Sequence, residues 1–262
     1  MTTKLKGRLV ILSGPSCVGK SPLAKALGKF HPDWSNRLQG LVLYNSRSPR
    51  PGERDGIDYH FRTRNQIEAF RPDNRYALLD VRGDLQALDL KELQSLLSCS
   101  DVFFEGNPFV GMTLLTHPRI KDFARISVFL SPLSKDEIIY LKDRERNISL
   151  RDLVRDIMRR KLLRRTRHQK GELSAMDLEN IEIRAGSAYS EMQEAWHFDY
   201  VIPNHDGEDS DHWDAFYYPL GDARTSLNAF VALLEGEEPV GVEKWDAELL
   251  PSVRSVVRSG RS

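Results

Sequence analysis

A glycine-rich loop between an apolar strand and a helix limits the fold of this chain most strongly. Residues 8–13 predict a buried strand, and helix-forming residues begin at Lys20. The loop between them fits the pattern G-x-x-x-x-G-K-[ST] in full, with Gly14, Pro15, Ser16, Cys17, Val18, Gly19, Lys20 and Ser21 as its members. In this pattern the backbone amides turn toward an anion, the lysine bridges terminal phosphates and the final hydroxyl reaches Mg²⁺. The loop therefore predicts a site for the phosphates of ATP, although hydrolases, switches and kinases all use it.

Length and composition exclude several other classes of protein. The 262 residues, 40% of them hydrophobic, are enough to bury a sizeable core. Lys+Arg and Asp+Glu both number 38, so no global charge favours nucleic acid or a membrane surface. Cys17 and Cys99 are too few for a disulfide framework, and no segment has the ~18 apolar residues of a membrane span. We expect a cytoplasmic protein that does not associate with membranes and is unlike a nucleic-acid-binding protein.

Helical and strand patterns alternate along most of the chain. Further strands are predicted at 102–105, 125–130 and 199–202. Helices are predicted at 90–97, 150–162, 177–196 and 227–234, the second of them amphipathic and basic. Residues 32–89 instead show short strands and Pro- and Gly-containing turns, which indicate a small inserted subdomain. The alternation predicts an α/β fold around a parallel sheet.

A second polar stretch, SRSPRPGERDGIDYHF at 46–61, suggests how another phosphate is held. Arg47 and Arg50 can aim planar, multi-donor groups at one phosphate, and Tyr59 can add a hydroxyl. Considered alone, the stretch also fits a solvated turn with surface arginines.

The two stretches together resemble the guanylate kinase family of P-loop nucleoside-monophosphate kinases. The resemblance continues in IEIRAGSA at 181–188, in Glu191 and in FDYVIPN at 198–204, and it spans residues 8–234 discontinuously. It implies one domain with a three-layer P-loop core, an acceptor-binding subdomain and a helical lid. The corresponding ranges are 1–31, 90–145 and 198–235 for the core, 32–89 for the subdomain, 146–197 for the lid and 236–262 for an irregular tail.

The resemblance assigns roles to the phosphate-binding residues. It implies that Arg47, Arg50 and Tyr59 hold the acceptor's phosphate and that Arg184 stabilises the phosphoryl group during transfer. Such arginines suit phosphoryl transfer, which requires that the charge of the transferring group be neutralised while the attacking and leaving oxygens are in line with it. Arg146 resembles another lid arginine, although Arg144 fits that place as well.

Two further positions are assigned to the donor side by the resemblance. Glu105 ends an apolar strand where the family has an aspartate near the metal, and a carboxylate there suits Mg²⁺, as does the hydroxyl of Ser21. Asn204 follows the last strand, near the place where the family holds adenine. A structural cap remains the alternative for Glu105.

The segment that selects the acceptor's base departs from the family. A gapless match places Ala77 where the family has an acid and Leu88 where it has a hydroxyl, whereas one short deletion brings Asp80 onto the acid. Leu43 replaces a serine, and Asn107 replaces a second aspartate. The base-reading groups are therefore altered, and the loss of such partners changes substrate choice.

An insertion and a loop also depart from the family. The insertion of nearly thirty residues between Arg146 and Ile181 is rich in arginine and lysine, which fits either an enlarged lid that brings charge to the phosphates or a solvated helix face. The loop at 205–221 contains aromatic side chains that cover the adenine or, as we favour, pack on the core.

These observations predict an ATP- and Mg²⁺-dependent kinase that phosphorylates a nucleoside monophosphate, most simply GMP. A different phosphorylated small molecule as acceptor is one alternative. The other is a binding module of the guanylate-kinase-like type that has lost turnover, which the intact Lys20 and Ser21 disfavour. Oligomeric state is left open.

Overall fold

A computed structural model of the chain describes residues 7–50 and 52–251, except the side chain of Arg144. Its strands are β1 (Leu9–Ser13), β2 (Leu38–Gly40), β3 (Tyr44–Asn45), β4 (His60–Phe61), β5 (Tyr76–Val81), β6 (Asp84–Asp89), β7 (Asp101–Gly106), β8 (Arg125–Ser131) and β9 (Tyr200–Pro203). Its helices are α1 (Lys20–Phe30), α2 (Pro32–Arg37), α3 (Arg64–Glu68), α4 (Leu90–Leu97), α5 (Pro108–Thr116), α6 (Lys135–Leu141), α7 (Leu150–Lys170), α8 (Ala175–Met192) and α9 (Gly221–Glu235). Short 3₁₀ helices lie at Arg144–Arg146, Ala195–His197 and Asp211–Trp213.

A parallel sheet in the order β2-β7-β1-β8-β9 forms the core. All five residues of β1 are buried, as expected for a strand with neighbours on both sides and helices over it. Because the strands run parallel, the residues that follow β1, β7 and β9 meet at one edge of the sheet, where ligands bind in folds of this class. The α/β class predicted from the sequence is confirmed.

A second sheet in the order β4-β3-β6-β5 forms the small subdomain. One face packs on α3 around Ile67, Leu85 and Ala87, while the other face joins the main core. The sequence predicts that all of 32–89 belongs to this subdomain, but Leu38–Gly40 pairs with β7 and extends the core sheet. An edge strand of three residues is too short to show a period in the sequence.

The lid region is dominated by two long helices, α7 and α8, which pack along each other. Helix α7 continues to Lys170, eight residues beyond the predicted end at 162. Thr166 extends the buried face of the helix, but the arginines around it obscure the helical period in the sequence. Each helix begins at a serine whose hydroxyl accepts a backbone N–H, Ser149 for α7 and Ser174 for α8. None of the helices in the described chain carries an apolar stretch of the length that a lipid bilayer requires.

The tail was predicted to be irregular from residue 236. Over 236–251 it lacks helix and regular strand, yet it packs on the core: Glu243 exchanges backbone hydrogen bonds with Val201 of β9, and Trp245 and Leu250 are buried. Residues 252–262 lie outside the described part of the chain.

Candidate active site

The P-loop connects β1 to α1 and is held in a backbone shape that favours glycine. Gly14 and Gly19 have φ of 149° and 107°, and a Cβ on Gly19 would lie 2.4 Å from the Nδ2 atom of Asn204. The buried Lys20 donates from Nζ to the carbonyl oxygens of Gly14 and Pro15, at 2.8 and 2.7 Å. Burial lowers the pKa of Lys20. Lys20 therefore contacts the backbone of the same loop that is predicted to hold the donor's phosphates.

Ser21 and Glu105 meet beside the P-loop. The Oγ atom of Ser21 donates to Oε1 of Glu105 at 2.6 Å, because Glu105 stands at the carboxyl end of β7 next to β1. Burial raises the pKa of Glu105, which indicates a carboxyl group with too little positive charge around it. Within the described residues, no cluster of three or more His, Cys, Asp or Glu side chains could hold a metal. A hydroxyl and one carboxylate fit Mg²⁺, which keeps waters and phosphate oxygens as its other ligands.

Arg47, Arg50 and Tyr59 lie together and are called the phosphate clamp below. Arg47 makes a two-pronged ion pair with Glu53, at 2.6 and 2.7 Å, and its guanidinium lies 5.1 Å from the ring centre of Tyr59. Glu53 also accepts from the backbone N–H of Arg50. Burial and the charge of Arg47 lower the pKa of Arg50, which indicates two cations near each other without a matching number of anions. The structure therefore brings together the three residues predicted for the acceptor's phosphate.

Of the two predicted lid arginines, Arg184 reaches the P-loop and Arg146 does not. Arg184, on α8, donates from Nε to the Oγ of Ser16 at 3.0 Å. Burial, followed by the charges of Arg165, Arg50 and Arg82, lowers the pKa of Arg184. Arg146 is exposed, with its guanidinium 3.4 Å from the ring centre of Tyr140 on α6. This cation–π contact holds it against α6.

The placement of Asp80 argues against its predicted role in reading the base. Successive side chains of a strand point to opposite faces, and Asp80 lies on the face of β5 that carries Leu78 toward α3. It is exposed and pairs with Arg64 at 3.0 Å. Ala77 lies on the opposite face, in register with Leu88.

Three residues that the resemblance places in the base-reading segment are apolar and packed in the core, and they are called the base wall below. They are Leu43, Ala77 and Leu88. Leu43 and Leu88 are 2% and 0% exposed and belong to the main core, while Ala77 packs against it. An acid on this face is Asp84, which shares β6 with Leu88, and the charges of Arg47 and Arg50 partly offset the rise in its pKa caused by burial. Carbon atoms therefore replace the hydrogen-bonding groups expected there.

Arg82 connects the small subdomain to the P-loop and was missed in the sequence analysis. It occupies the turn between β5 and β6 with φ of 57°. Its guanidinium donates to Ser16 Oγ at 2.8 Å, to Ser187 Oγ at 3.0 Å and to the fully buried carboxylate of Glu191. The same carboxylate accepts from Nδ2 of Asn107 at 3.0 Å. No local signal in the sequence marks Arg82, since only the folded hairpin brings it across the cleft.

The segment after β9 packs on the P-loop and contributes another unpredicted residue, Glu208. Asn204 donates from Nδ2 to the carbonyl oxygens of Val18 and Asp206, both at 2.8 Å, so that it positions the loop. The backbone N–H of Glu208 donates to the carbonyl oxygen of Cys17 at 3.2 Å. Burial raises the pKa of the Cys17 thiol to about 12, which leaves it protonated and unsuited to act as a nucleophile.

Comparisons with known proteins identify the family of the chain. The guanylate kinase family model matches residues 6–80, which contain the P-loop and the phosphate clamp. The guanylate kinase of Synechococcus sp. (strain JA-3-3Ab) is 30% identical over 217 residues, covering 82% of this chain and 83% of the relative. That of Rickettsia felis is 31% identical over 210 residues, covering 79% and 90%. The chain belongs to the guanylate kinase family.

A solved guanylate kinase has the same fold along nearly the whole chain. The crystal structure of guanylate kinase from Anaplasma phagocytophilum superimposes with a TM-score of 0.53 at 17% sequence identity, covering 98% of this chain and 96% of that one. Membership of the guanylate kinase family makes the chain a P-loop kinase.

Proposed function

We propose that this chain transfers the terminal phosphoryl group of ATP to the phosphate of GMP, producing ADP and GDP. One observation carries the proposal: cations from three separate parts of the chain face the space over the P-loop. Arg50 comes from the acceptor subdomain, Arg184 from the lid and Lys20 from the core, and burial with the neighbouring guanidinium groups lowers the pKa of Arg184. Cations gathered from three parts of the chain fit a site for several phosphates. The guanylate kinase relatives support GMP as the acceptor.

The reaction needs charge neutralisation and alignment. An oxygen of the acceptor's phosphate forms a bond to the γ-phosphorus of ATP while the bond from that phosphorus to the β-bridging oxygen breaks, and ADP leaves. The phosphate clamp holds the attacking phosphate, Lys20 contacts the donor's terminal phosphates, and Arg184 neutralises the group in flight. Asn204 and Ser16 keep the P-loop in the shape that this alignment requires.

Mg²⁺ is part of this proposal, with Ser21 and Glu105 as the residues that hold it. When bound, Mg²⁺ neutralises phosphate charge and orients the donor. Glu105 is buried beside Ser21, and the positive charge of a cation favours its ionised form. The cytoplasmic location expected from the sequence is likewise part of the proposal, in keeping with the unpaired Cys17 and Cys99.

The test is ADP release from ATP and Mg²⁺ with and without GMP. We expect GMP to stimulate release, Lys20→Ala to abolish the stimulated part, and Arg47→Ala to remove it at GMP concentrations near the KM of the unmodified chain. Release that no monophosphate stimulates, while ATP still binds, would contradict kinase activity on nucleotides.

A different phosphorylated acceptor is a second candidate, favoured by the base wall. Leu43, Ala77 and Leu88 offer no hydrogen bond, whereas a site that discriminates bases strongly needs such partners. Assaying other phosphomonoesters beside GMP separates the two candidates, since this one requires a substrate with a higher kcat/KM than GMP.

A further inference from the structure

The inserted helix α7 is joined to the segment after β9 through three cationic side chains. Lys161 donates from Nζ to the carbonyl oxygen of His205, and Arg164 pairs from Nε with Asp209 at 2.8 Å. Arg165 pairs with Glu208. Since the segment at 205–209 itself packs on the P-loop, the inserted helix lies over the donor side of the site.

Arg165 differs from the adjacent Arg164 in its surroundings. The side chain of Arg164 is 66% exposed, whereas that of Arg165 is 13% exposed. The Nε atom of Arg165 is buried and has no hydrogen-bond partner among the described residues. A buried guanidinium donor without a partner is costly, so it points to a ligand that supplies an acceptor.

The charge of Arg165 is directed to the phosphate site. After burial, Arg165 is the largest cause of the lowered pKa of Arg184, and it also contributes to the lowered pKa of Arg50. These are the arginines of the lid and of the phosphate clamp. Arg165 therefore lies within electrostatic reach of both, on the side of the P-loop where Glu208 contacts Cys17.

The carboxylate of Glu208 is the anion that these cations hold in the described structure. Burial alone would raise its pKa, but the charges of Arg165, Lys20 and Arg184 lower it overall. A carboxylate near the P-loop lysine and two arginines has the charge and the oxygen acceptors of a phosphate group. The carboxylate of Glu208 therefore lies near the same cations that would bind a phosphate of the donor.

We propose that Arg165 is a phosphate-contacting residue of the active site, supplied by the inserted helix, and that Glu208 holds it until the terminal phosphates of the donor replace the carboxylate. This inference rests on the proposed kinase function and names an additional catalytic residue for it. The guanidinium exchanges one anion for another, and its unpartnered Nε gains an acceptor in the exchange.

The first experiment compares Arg165→Ala with Arg164→Ala, because the two neighbours carry the same charge and pair with adjacent acids of one loop. We expect Arg165→Ala to lower kcat by about 10²-fold or more and to weaken binding of ATP by about tenfold, as losses of transition-state arginines do. Arg164→Ala is expected to stay within about threefold of the unmodified chain in kcat, because the side chain of Arg164 is 66% exposed and its partner Asp209 keeps Lys161 beside it at 4.0 Å. Thermal unfolding of both variants checks that they are folded, and Arg165→Lys replaces Arg165→Ala should the latter unfold.

A second variant separates a phosphate contact from a purely structural ion pair. Glu208→Gln removes the competing anion, so we expect it to bind ATP several-fold more tightly, whereas Arg165→Ala weakens that binding. If Arg165 serves only to hold the loop, Arg165→Ala and Glu208→Gln lower kcat equally and the double variant is no worse than either. That result, or an Arg165→Ala variant as active as Arg164→Ala, would overturn the proposal.

Calorimetric titration with ATP and Mg²⁺ requires no acceptor and keeps the two proposals distinguishable. If the unmodified chain binds ATP but phosphorylates no monophosphate, the proposed function fails while Arg165 is still judged by its effect on ATP binding. If the unmodified chain binds no ATP, both proposals fail.

Discussion

The phosphate clamp and the base wall belong to the same small subdomain but offer a ligand different chemistry. The clamp presents two arginines and a tyrosine, oriented by Glu53 through a two-pronged ion pair. The base wall presents Leu43, Ala77 and Leu88, which are packed into the main core. Phosphate binding therefore depends on charge held in place, whereas these three positions offer a base no hydrogen-bonding side chain.

The difference indicates which part of the acceptor is recognised strongly. Ion pairs and charged hydrogen bonds to a phosphate are strong and specific in geometry. An apolar surface discriminates poorly between ligands of similar size, because it loses no hydrogen bond when the wrong one binds. We therefore expect strict dependence on the acceptor's phosphate and weak dependence on its base, and the following predictions test that expectation in order of decreasing effect.

Arg82→Ala is expected to have the largest effect, because Arg82 joins the hairpin of the small sheet to the P-loop. The variant leaves the carboxylate of Glu191 buried without its guanidinium partner, with Oε2 already unpartnered among the described residues. Loss of one partner of a buried ion pair costs about 3–5 kcal/mol of unfolding free energy. Urea unfolding measures the loss.

Two further variants serve as controls for Arg82. Adding Glu191→Gln to Arg82→Ala is expected to recover part of the loss, since no charge then remains buried. Arg64→Ala removes an exposed ion pair on the outer face of the same hairpin and is expected to cost less than about 1 kcal/mol. Equal losses from Arg82→Ala and Arg64→Ala would contradict the role of Arg82.

Lys20→Met is expected to lower kcat by about 10²–10³-fold, because it removes the buried ammonium group that is proposed to contact the donor's phosphates while keeping the length of the side chain. Steady-state assays measure kcat. Lys29→Met, at the exposed end of the same helix, is the matched control and is expected to leave kcat unchanged. A Lys20 variant with normal kcat would remove the basis for phosphoryl transfer at this loop.

Arg47→Ala is expected to raise the acceptor's KM by about 10- to 100-fold, the equivalent of one charged hydrogen-bonding group. The KM for ATP is expected to change little, because Arg47 belongs to the small subdomain. Arg62→Ala, which removes an exposed pair with Asp55 in that subdomain, serves as the control. A larger effect on the KM for ATP than on that of the acceptor would contradict the assignment of the clamp.

Discrimination among bases tests the base wall directly. The values of kcat/KM for GMP, IMP and AMP are expected to differ by less than about 200-fold, the limit of a pocket that discriminates by shape alone. Asp80→Asn is expected to leave these ratios unchanged, because Asp80 faces α3 and solvent. Ratios of about 10⁴ or more, or ratios that Asp80→Asn alters, would show that hydrogen-bonding groups read the base.

Local patterns in the sequence predicted the elements of the site that are themselves local. The P-loop is contiguous, and Arg47 and Arg50 lie within one turn, so spacing alone brought their chemistry together. The fold class likewise follows from alternating patterns. The sequence leaves Ala77 and Asp80 as alternatives for the acidic position because it does not reveal register, and a shift of one residue moves a side chain to the opposite face of a sheet.

The residues that the sequence analysis missed all act across long separations. Arg82 pairs with Glu191, which is 109 positions away in the sequence, and Arg165 pairs with Glu208, which is 43 positions away. Neither pair has a local spacing that marks it, since each depends on how the subdomain hairpin and the inserted helix pack on the core. The aromatic loop at 205–221 was expected to pack on the core, and Trp213 and Tyr218 do so, whereas Phe216 and Tyr217 are exposed.

The smallest effect is expected at His205. This residue connects the segment after β9 to two helices and belongs to neither the clamp nor the base wall. Burial would lower its pKa, but the carboxylates of Asp222 and Glu137, which contact its two ring nitrogens, raise it overall above 6.5. The folded chain therefore binds this proton more tightly than the unfolded chain. The stability that it contributes is complete below pH 6.5 and is lost as pH rises through the raised pKa.

Urea unfolding at intervals from pH 6 to pH 9 measures this effect. Because the side chain is half exposed, we expect less than about 1 kcal/mol of unfolding free energy to be lost over that range. His205→Asn is expected to flatten the dependence, while His212→Asn, a variant of the neighbouring exposed histidine that pairs with Asp206, keeps most of it. A slope that His205→Asn leaves unchanged would assign the pH dependence to other groups. A larger slope together with weaker ATP binding at high pH would instead extend the role of the segment from positioning the P-loop to gating the donor site.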